Sequence, residues 1–426
     1  MTETGTVPWA TRELGFGVVH TDSSSSWTVS ELVEPGLRRN PKRAHLLVST
    51  VLGKHIPTPP SAVIAAANQL GGLVLTALGP DAAAVVVLGF AETATGLGHC
   101  VATRIGAQCY IHSTRRHVPG VELHAGFEEG HSHATSHMLL PTAPELFGND
   151  LPLVLVDDEI STGATAIDAI RALHQHNPRR HYVIAALVDM RTAEHRRVID
   201  AAAAELSAQI DFVSLATGTA VLPAGLVDSV AALPDPVLNP VSSAQGSVDR
   251  IDLPWPASVP DGGRHGFLHK DNPAFDSAIT VIADLLTDRI GAPRPVIVVG
   301  HEELMYLPLR VAEALSNSGY PVLFQTTTRS PAYVLDVPGY PLRRGFRFLA
   351  PEAGEAEPRF LYNAQWLEAV DEALIVVVVD APADTERLTA AGGLLDVLTR
   401  AGAEVLLAVV PGADPAALRA ARKDSQ

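Results

Sequence analysis

The chain reads as an α/β protein with two domains, each a parallel sheet with helices on both faces. Two observations predict this. Short β-branched runs alternate with Ala- and Leu-rich stretches at helical spacing, the rhythm of parallel strands joined by crossover helices. That rhythm occurs twice, on either side of a Pro-, Ser- and Gly-rich stretch. With 426 residues, 47% hydrophobic and 18% charged, the chain has material for two cores and no case for general disorder.

In the first region the strands are predicted at Ala84–Leu88, Gln108–His112, Leu153–Val156, Tyr182–Leu187 and Ile210–Ser214. Helices are predicted at Thr95–Ile105, Thr165–Gln175 and Ala193–Gln209. The apolar stretch Ser61–Pro80 contains Asn68, Gln69, Gly71 and Gly72, which suits a buried core helix better than a membrane span. After the Pro-rich stretch come a helix at Phe275–Arg289, a strand at Pro295–Val299, a helix at Leu307–Ser316 and a strand at Pro321–Gln325. Strands at Ala373–Val379 and Glu404–Val410 then flank a helix at Thr385–Ala401. The expected division is 1–235, a linker at 236–265, and 266–426.

The two regions echo each other. One strand ends in Gly89-Phe90-Ala91-Glu92 and its counterpart in Gly300-His301-Glu302-Glu303. After a helix, the next strands end in Ser113-Thr114-Arg115 and Thr327-Thr328-Arg329. Polar residues at strand carboxyl ends lie where α/β sheets bind ligands.

Charge and cysteine content narrow the class. A formal net charge of -16 argues against nucleic-acid binding, which normally needs a basic excess. Cys100 and Cys109 cannot supply a disulfide framework, and Met1–Pro8 lacks the basic and apolar parts of a signal peptide. A cytoplasmic protein with no membrane partner is expected.

The segment richest in chemistry is Leu153–Thr165, LVLVDDEISTGAT. An apolar strand runs into Asp157 and Asp158, then into the turn Ser161-Thr162-Gly163-Ala164-Thr165 at a helix start. Free N–H groups at a helix N-terminus, a close-approach glycine and three hydroxyls make a phosphate cradle. Carboxylates repel phosphate but accept from sugar hydroxyls or bind a metal, so a phosphorylated sugar meets both demands. No Gly-Lys-Ser/Thr follows a strand, which excludes a P-loop.

This segment resembles the signature of the type I phosphoribosyltransferases, and the resemblance implies a type I phosphoribosyltransferase-like sheet in the first domain. It implies that Asp157 and Asp158 hold the ribose of phosphoribosyl pyrophosphate, and that Ser161, Thr162, Gly163, Ala164 and Thr165 wrap its 5-phosphate. Phe90, Ala91 and Glu92 resemble the family's first pyrophosphate loop, and Arg115 and Arg116 would clamp the same leaving group. Mg²⁺ is expected mainly through the substrate, with Asp157 and Asp158 as protein ligands. The stretch 120–141 sits where the family has a mobile loop, with Glu128, Glu129, His131 and His133 as acid-base candidates. Its His131, His133 and His137 also have a spacing that metal sites use. The N-terminal region forms a hood in this fold, so Arg39, Lys42, Arg43, Lys54 and His55 are candidates for the acceptor. Glu159 occupies a usually apolar position. Ser161 replaces an Asp of the purine-salvage branch, which speaks against hypoxanthine or guanine.

Over nearly the whole chain the sequence is similar to the phosphoribosyltransferases encoded with bacterial tellurium-resistance clusters. Their C-terminal domain is named for a Thr-Arg-Ser-Pro motif, here Thr328-Arg329-Ser330-Pro331. That resemblance implies a nucleotide- or nucleoside-like product from an unnamed nitrogenous acceptor. It leaves room for a homodimer and for partners from the same gene cluster. The second domain reads as Rossmann-like, a relative of the first without its cradle, with a pocket expected at Glu302, Glu303, Thr328, Arg329 and Ser330. Two rival functions share the motif: a non-catalytic phosphoribosyl pyrophosphate-binding regulator, and a metal-dependent sugar-phosphate hydrolase.

Overall fold

The computed structural model describes residues 7–118, 120–128, 136–364 and 373–423. The first sheet has seven strands, in the order Gly17–Ser23, Gln209–Val221, His181–Asp189, Leu153–Ile160, Val86–Gly89, Cys109–His112 and Phe267–Leu268. The five central strands are parallel and the two edge strands antiparallel. Of these, Val86–Gly89, Cys109–His112 and His181–Asp189 are wholly buried and Leu153–Ile160 mostly so, as parallel strands covered on both faces are.

The second sheet has five parallel strands, ordered Val248–Asp252, Val405–Val410, Leu374–Asp380, Val296–Gly300 and Val322–Thr326. Its wiring repeats the first. In each sheet the first strand of the repeat has the second on one side and the third on the other, with the fourth beyond the third. The echo in the sequence is therefore an echo in topology. Each sheet has a switch point beside that first strand, where crossovers leave in opposite directions and a crevice opens at the carboxyl ends.

Residues 236–265, expected as a linker, are woven into both sheets. Val248–Asp252 is an edge strand of the second sheet, and the Gly263 carbonyl accepts from the His112 N–H beside the first. Phe267–Leu268 closes the first sheet's far edge. The helix expected at Thr385–Ala401 is shorter, Leu394–Arg400, preceded by two 3-10 turns. Gly392 at φ +80° and Gly393 stop it from extending backwards.

Among the described residues one helix, Pro60–Leu78, belongs to a segment long and apolar enough to cross a membrane. It instead buries a stripe of Val63, Ala66, Ala67, Leu70, Gly71, Val74 and Leu78 against the core. The helices Thr95–Ile105 and Tyr306–Asn317, equivalent in the two repeats, pack on one another across the domain boundary. There the His99 and Tyr306 rings stack with centroids 3.5 Å apart.

Candidate active site

A cavity of about 390 Å³ opens at the switch point of the first sheet. One wall is the strand Leu153–Ile160 and the turn after it, and the other is the loop following Val86–Gly89. Asp157, Asp158, Ser161, Thr162, Gly163 and Thr165 line it together with Phe90, Ala91 and Glu92. The helix begins at Ala164, whose N–H is donated to Thr162 Oγ1 at 3.2 Å. Gly163 stands at φ +82°, and a Cβ there would lie 2.8 Å from Ile199, so the turn requires glycine.

The acids are electrostatically unbalanced. Burial, then the neighbouring charge of Asp158, pushes the Asp157 carboxyl well above the ordinary carboxylate range. Asp157 Oδ1 accepts the Asp158 N–H at 2.9 Å. Glu159 has a partner in the hood, Arg43 at 2.5 Å, which accounts for a carboxylate at this usually apolar position. Burial still raises Glu159 above its ordinary value, with Arg43 opposing.

The hood is the hairpin Val33–Leu37 and His45–Ser49 with the segment that follows. Arg43 and Lys54 line the cavity, as does Arg38, and Lys54 Nζ donates to Thr93 Oγ1 at 2.7 Å. The other hood candidates lie elsewhere. Arg39 is paired with Asp235 at 2.5 Å, and Lys42 is exposed. His55 is buried beside the Tyr362 ring. The sequence placed these residues on one element but could not say which side of a hairpin faces the cleft. The hood is also docked on the second domain, where Thr58 and Phe324 exchange backbone hydrogen bonds at 2.9 and 2.8 Å.

Arg115 lines the cavity, but Arg116 does not. Its guanidinium lies in the second domain's crevice, 3.0 Å from Asp380 and 2.6 Å from Glu352. The expectation of Arg116 at the pyrophosphate is thus corrected: three buried carboxylates, counting Glu302 at 3.8 Å, surround its guanidinium. Burial opposes its charge, yet Asp380, Glu302 and Glu352 outweigh burial and raise its affinity for the proton.

The pocket expected in the second domain is corrected in the same way. Glu302, Glu303 and Thr328 form the domain interface, whereas Arg329 and Ser330 line the first domain's cavity. Glu302 holds Arg329 at 2.9 Å and pairs with buried Arg359. Glu303 accepts from Thr114 Oγ1 at 2.6 Å and from the Arg115 N–H at 2.8 Å. Among the described residues His301, Glu302 and Glu352 are the one group close enough to share a cation, but Arg116, Arg329 and Arg359 already supply the positive charge there.

Of the loop candidates, Glu129, His131 and His133 lie outside the described residues, and Glu128 ends the strand Ala125–Glu128. His137 is buried, stacked on Phe127 at 4.7 Å, with Nδ1 2.7 Å from Ser113 Oγ. Ser113 Oγ also accepts the Ala91 N–H at 2.9 Å and so ties His137 to the loop at the cavity wall.

This interface makes the protein acid-labile in a defined window. Burial lowers His112 to about 4, so the unfolded chain takes up its proton first as pH falls through 6.5. Burial would raise Glu303, but Arg264 and Arg116 hold it down at about 2. Its contribution is present above 4.5 and is lost as pH falls toward 2. Thermal unfolding temperatures are expected to be level above pH 6.5 and to fall progressively below it. A temperature that rises or stays level between pH 6.5 and 4 would contradict these assignments.

Two family models match the chain. Residues 32–219 match the family model described as phosphoribosyl transferase, and residues 261–398 match the TRSP domain C-terminal to it. No curated protein matches the chain. Similar solved structures include adenine phosphoribosyltransferase from Rhodothermus marinus, 16% identical over 43% of this chain and 94% of that one, with a TM-score of 0.31. The Giardia lamblia enzyme complexed with 9-deazaadenine is 15% identical over 43% and 93%, TM-score 0.32. The Trypanosoma brucei enzyme in complex with AMP, pyrophosphate and ribose-5-phosphate is 11% identical over 44% and 78%, TM-score 0.31. The two matched segments follow one another in the order that the second model's description states: a phosphoribosyl transferase domain followed by a TRSP domain.

Proposed function

We propose that the protein transfers a 5-phosphoribosyl group from phosphoribosyl pyrophosphate to a nitrogenous acceptor, releasing pyrophosphate. The observation that carries this is the single cavity at the switch point. It combines a helix-start phosphate cradle, two adjacent carboxylates, and cations from the hood, from Arg115 and from Arg329. The acceptor nitrogen bonds to C1 of the ribose, the C1–oxygen bond to pyrophosphate breaks, and the acceptor loses its N–H proton. Charge develops on the sugar ring and on the departing oxygen, so the protein's part is positioning, charge neutralisation and exclusion of water.

Ser161 to Thr165 would hold the 5-phosphate and Asp157 and Asp158 the ribose hydroxyls. Arg115, with the Phe90–Glu92 loop, would face the pyrophosphate. Two adjacent carboxylates, one pushed strongly upward in affinity for its proton, form an all-oxygen donor set that suits Mg²⁺ beside the ribose diol. When bound, Mg²⁺ supplies positive charge to the pyrophosphate oxygens. On this reading 1–235 is the transfer unit and 266–426 the TRSP unit, with 236–265 crossing between them. The setting is the cytoplasm, alongside partners from a tellurium-resistance cluster, and the product is nucleotide- or nucleoside-like.

The test is to incubate the full chain with phosphoribosyl pyrophosphate, Mg²⁺ and a small-molecule extract, with pyrophosphate release and mass spectrometry as readouts. A new 5-phosphoribosyl adduct matched by pyrophosphate is expected. Saturable donor binding without release across a broad acceptor panel would favour a regulator. Release of free sugar phosphate that depends on tightly bound zinc or manganese would favour a hydrolase.

A further inference from the structure

The two domains grip each other by the same contacts, exchanged. Glu92 of the first domain accepts from Thr328 Oγ1 and from the Arg329 N–H at 3.0 Å. Glu303 of the second accepts from Thr114 Oγ1 and the Arg115 N–H. The Arg116 N–H bonds Thr114 Oγ1 at 3.1 Å, and the Ser330 N–H bonds Thr328 Oγ1 at 3.1 Å. Position by position, Arg115 corresponds to Arg329 and Arg116 to Ser330.

That correspondence breaks in one place. In the second crevice Arg116 reaches Asp380, which ends the strand equivalent to the one carrying Asp157. The crevice is thereby filled. The matching residue facing the first crevice is Ser330, which is short and uncharged, and that crevice is the open cavity with Asp157 and Asp158 on its wall. Arg329 lines the same cavity and is oriented there by Glu302, bound at both Nε and Nη2 at 2.9 Å. Glu355 lies farther off, 3.6 Å from Nη1, and a guanidinium has five N–H donors, so this bracing leaves donors for a second anion.

We propose that the TRSP motif is part of the donor site. Arg329 is a ligand of the pyrophosphate group, Glu302 is its positioning residue, and Ser330 is the residue that keeps the site open. The pyrophosphate end is chosen because Arg329 is tied through its own N–H to Glu92, on the loop across the cavity from the phosphate cradle. This inference rests on the donor reading above and adds that the second domain supplies a ligand to the first.

The experiment is calorimetry on the full chain with Mg²⁺, titrating phosphoribosyl pyrophosphate, inorganic pyrophosphate and ribose 5-phosphate separately. Arg329→Ala is expected to weaken pyrophosphate binding by about 10-fold or more, as for loss of a charge-assisted ligand. Ribose 5-phosphate binding is expected to stay within about twofold. Ser330→Arg is expected to abolish donor binding while the protein stays folded, by repeating toward Asp157 what Arg116 does toward Asp380. Unchanged pyrophosphate affinity in folded Arg329→Ala would overturn the inference and leave the donor reading standing. Where that variant does not fold, Arg329→Lys decides, and wild-type affinity there overturns it equally. A wild-type chain that binds none of the three ligands overturns the donor reading and this inference together.

Discussion

Replacing Asp157 and Asp158 by asparagine is expected to lower turnover by about 100-fold or more, the scale on which lost substrate positioning acts. The two amides have nearly the shape of the carboxylates but not their charge, so the ribose hydroxyls lose their strongest acceptors and C1 is no longer held between acceptor and leaving group. Among the described residues the cavity has no other acids suited to the task. Glu159 is committed to Arg43, and Glu92 is committed to Thr328 and Arg329. Stability is expected to stay level or rise, because burial and mutual repulsion already disfavour the ionised pair. Steady-state pyrophosphate release, beside a thermal melt, checks both parts. Wild-type turnover in the double variant would remove the carboxylate pair from the mechanism.

The second large effect lies outside the cavity. Arg116→Ala strips the nearest guanidinium from Asp380 and Glu352, both buried at the domain interface, and leaves Arg264 at 3.7 Å from Asp380. Breaking one side of a buried ion cluster costs about 3–5 kcal/mol, because the carboxylates left behind remain desolvated. A drop of several degrees in the unfolding temperature and faster proteolysis between the domains are expected. Donor binding is expected to weaken as well, since the same interface carries the Glu92–Thr328 contact that sets the cavity wall. Arg12→Ala, at an exposed pair, is the control and is expected to change stability by less than about 0.5 kcal/mol. Equal stability of the two variants would show that the cluster does not hold the domains together.

Much of the fold was legible because parallel strands buried on both faces are written as unbroken apolar runs. Val86–Gly89, Cys109–His112, Leu374–Asp380 and Val405–Val410 fall where those runs are, and Thr95–Ile105 has the predicted bounds. The hairpins were not legible. Val33–Leu37 contains Pro35 and Gly36 and lies partly against the second domain, so its burial comes from partners distant in sequence. The placement of the acid pair beside the helix-start turn was legible since both lie within thirteen consecutive residues. Arg116 was misplaced for the opposite reason: a guanidinium goes to whichever carboxylates the tertiary fold brings near, and Asp380 is 264 residues away. The echo between Gly-x-x-Glu and the hydroxyl-Arg ends was the available signal. It marked groups that bind each other across the domains rather than two separate pockets.

The most direct test of the donor site is a titration of phosphoribosyl pyrophosphate with Mg²⁺ into the full chain, repeated with the Asp157→Asn/Asp158→Asn variant. Saturable binding is expected at one site per chain, competed by inorganic pyrophosphate and at least about 10-fold weaker in the variant. Binding of equal strength in both proteins, or none in the wild type, would contradict it.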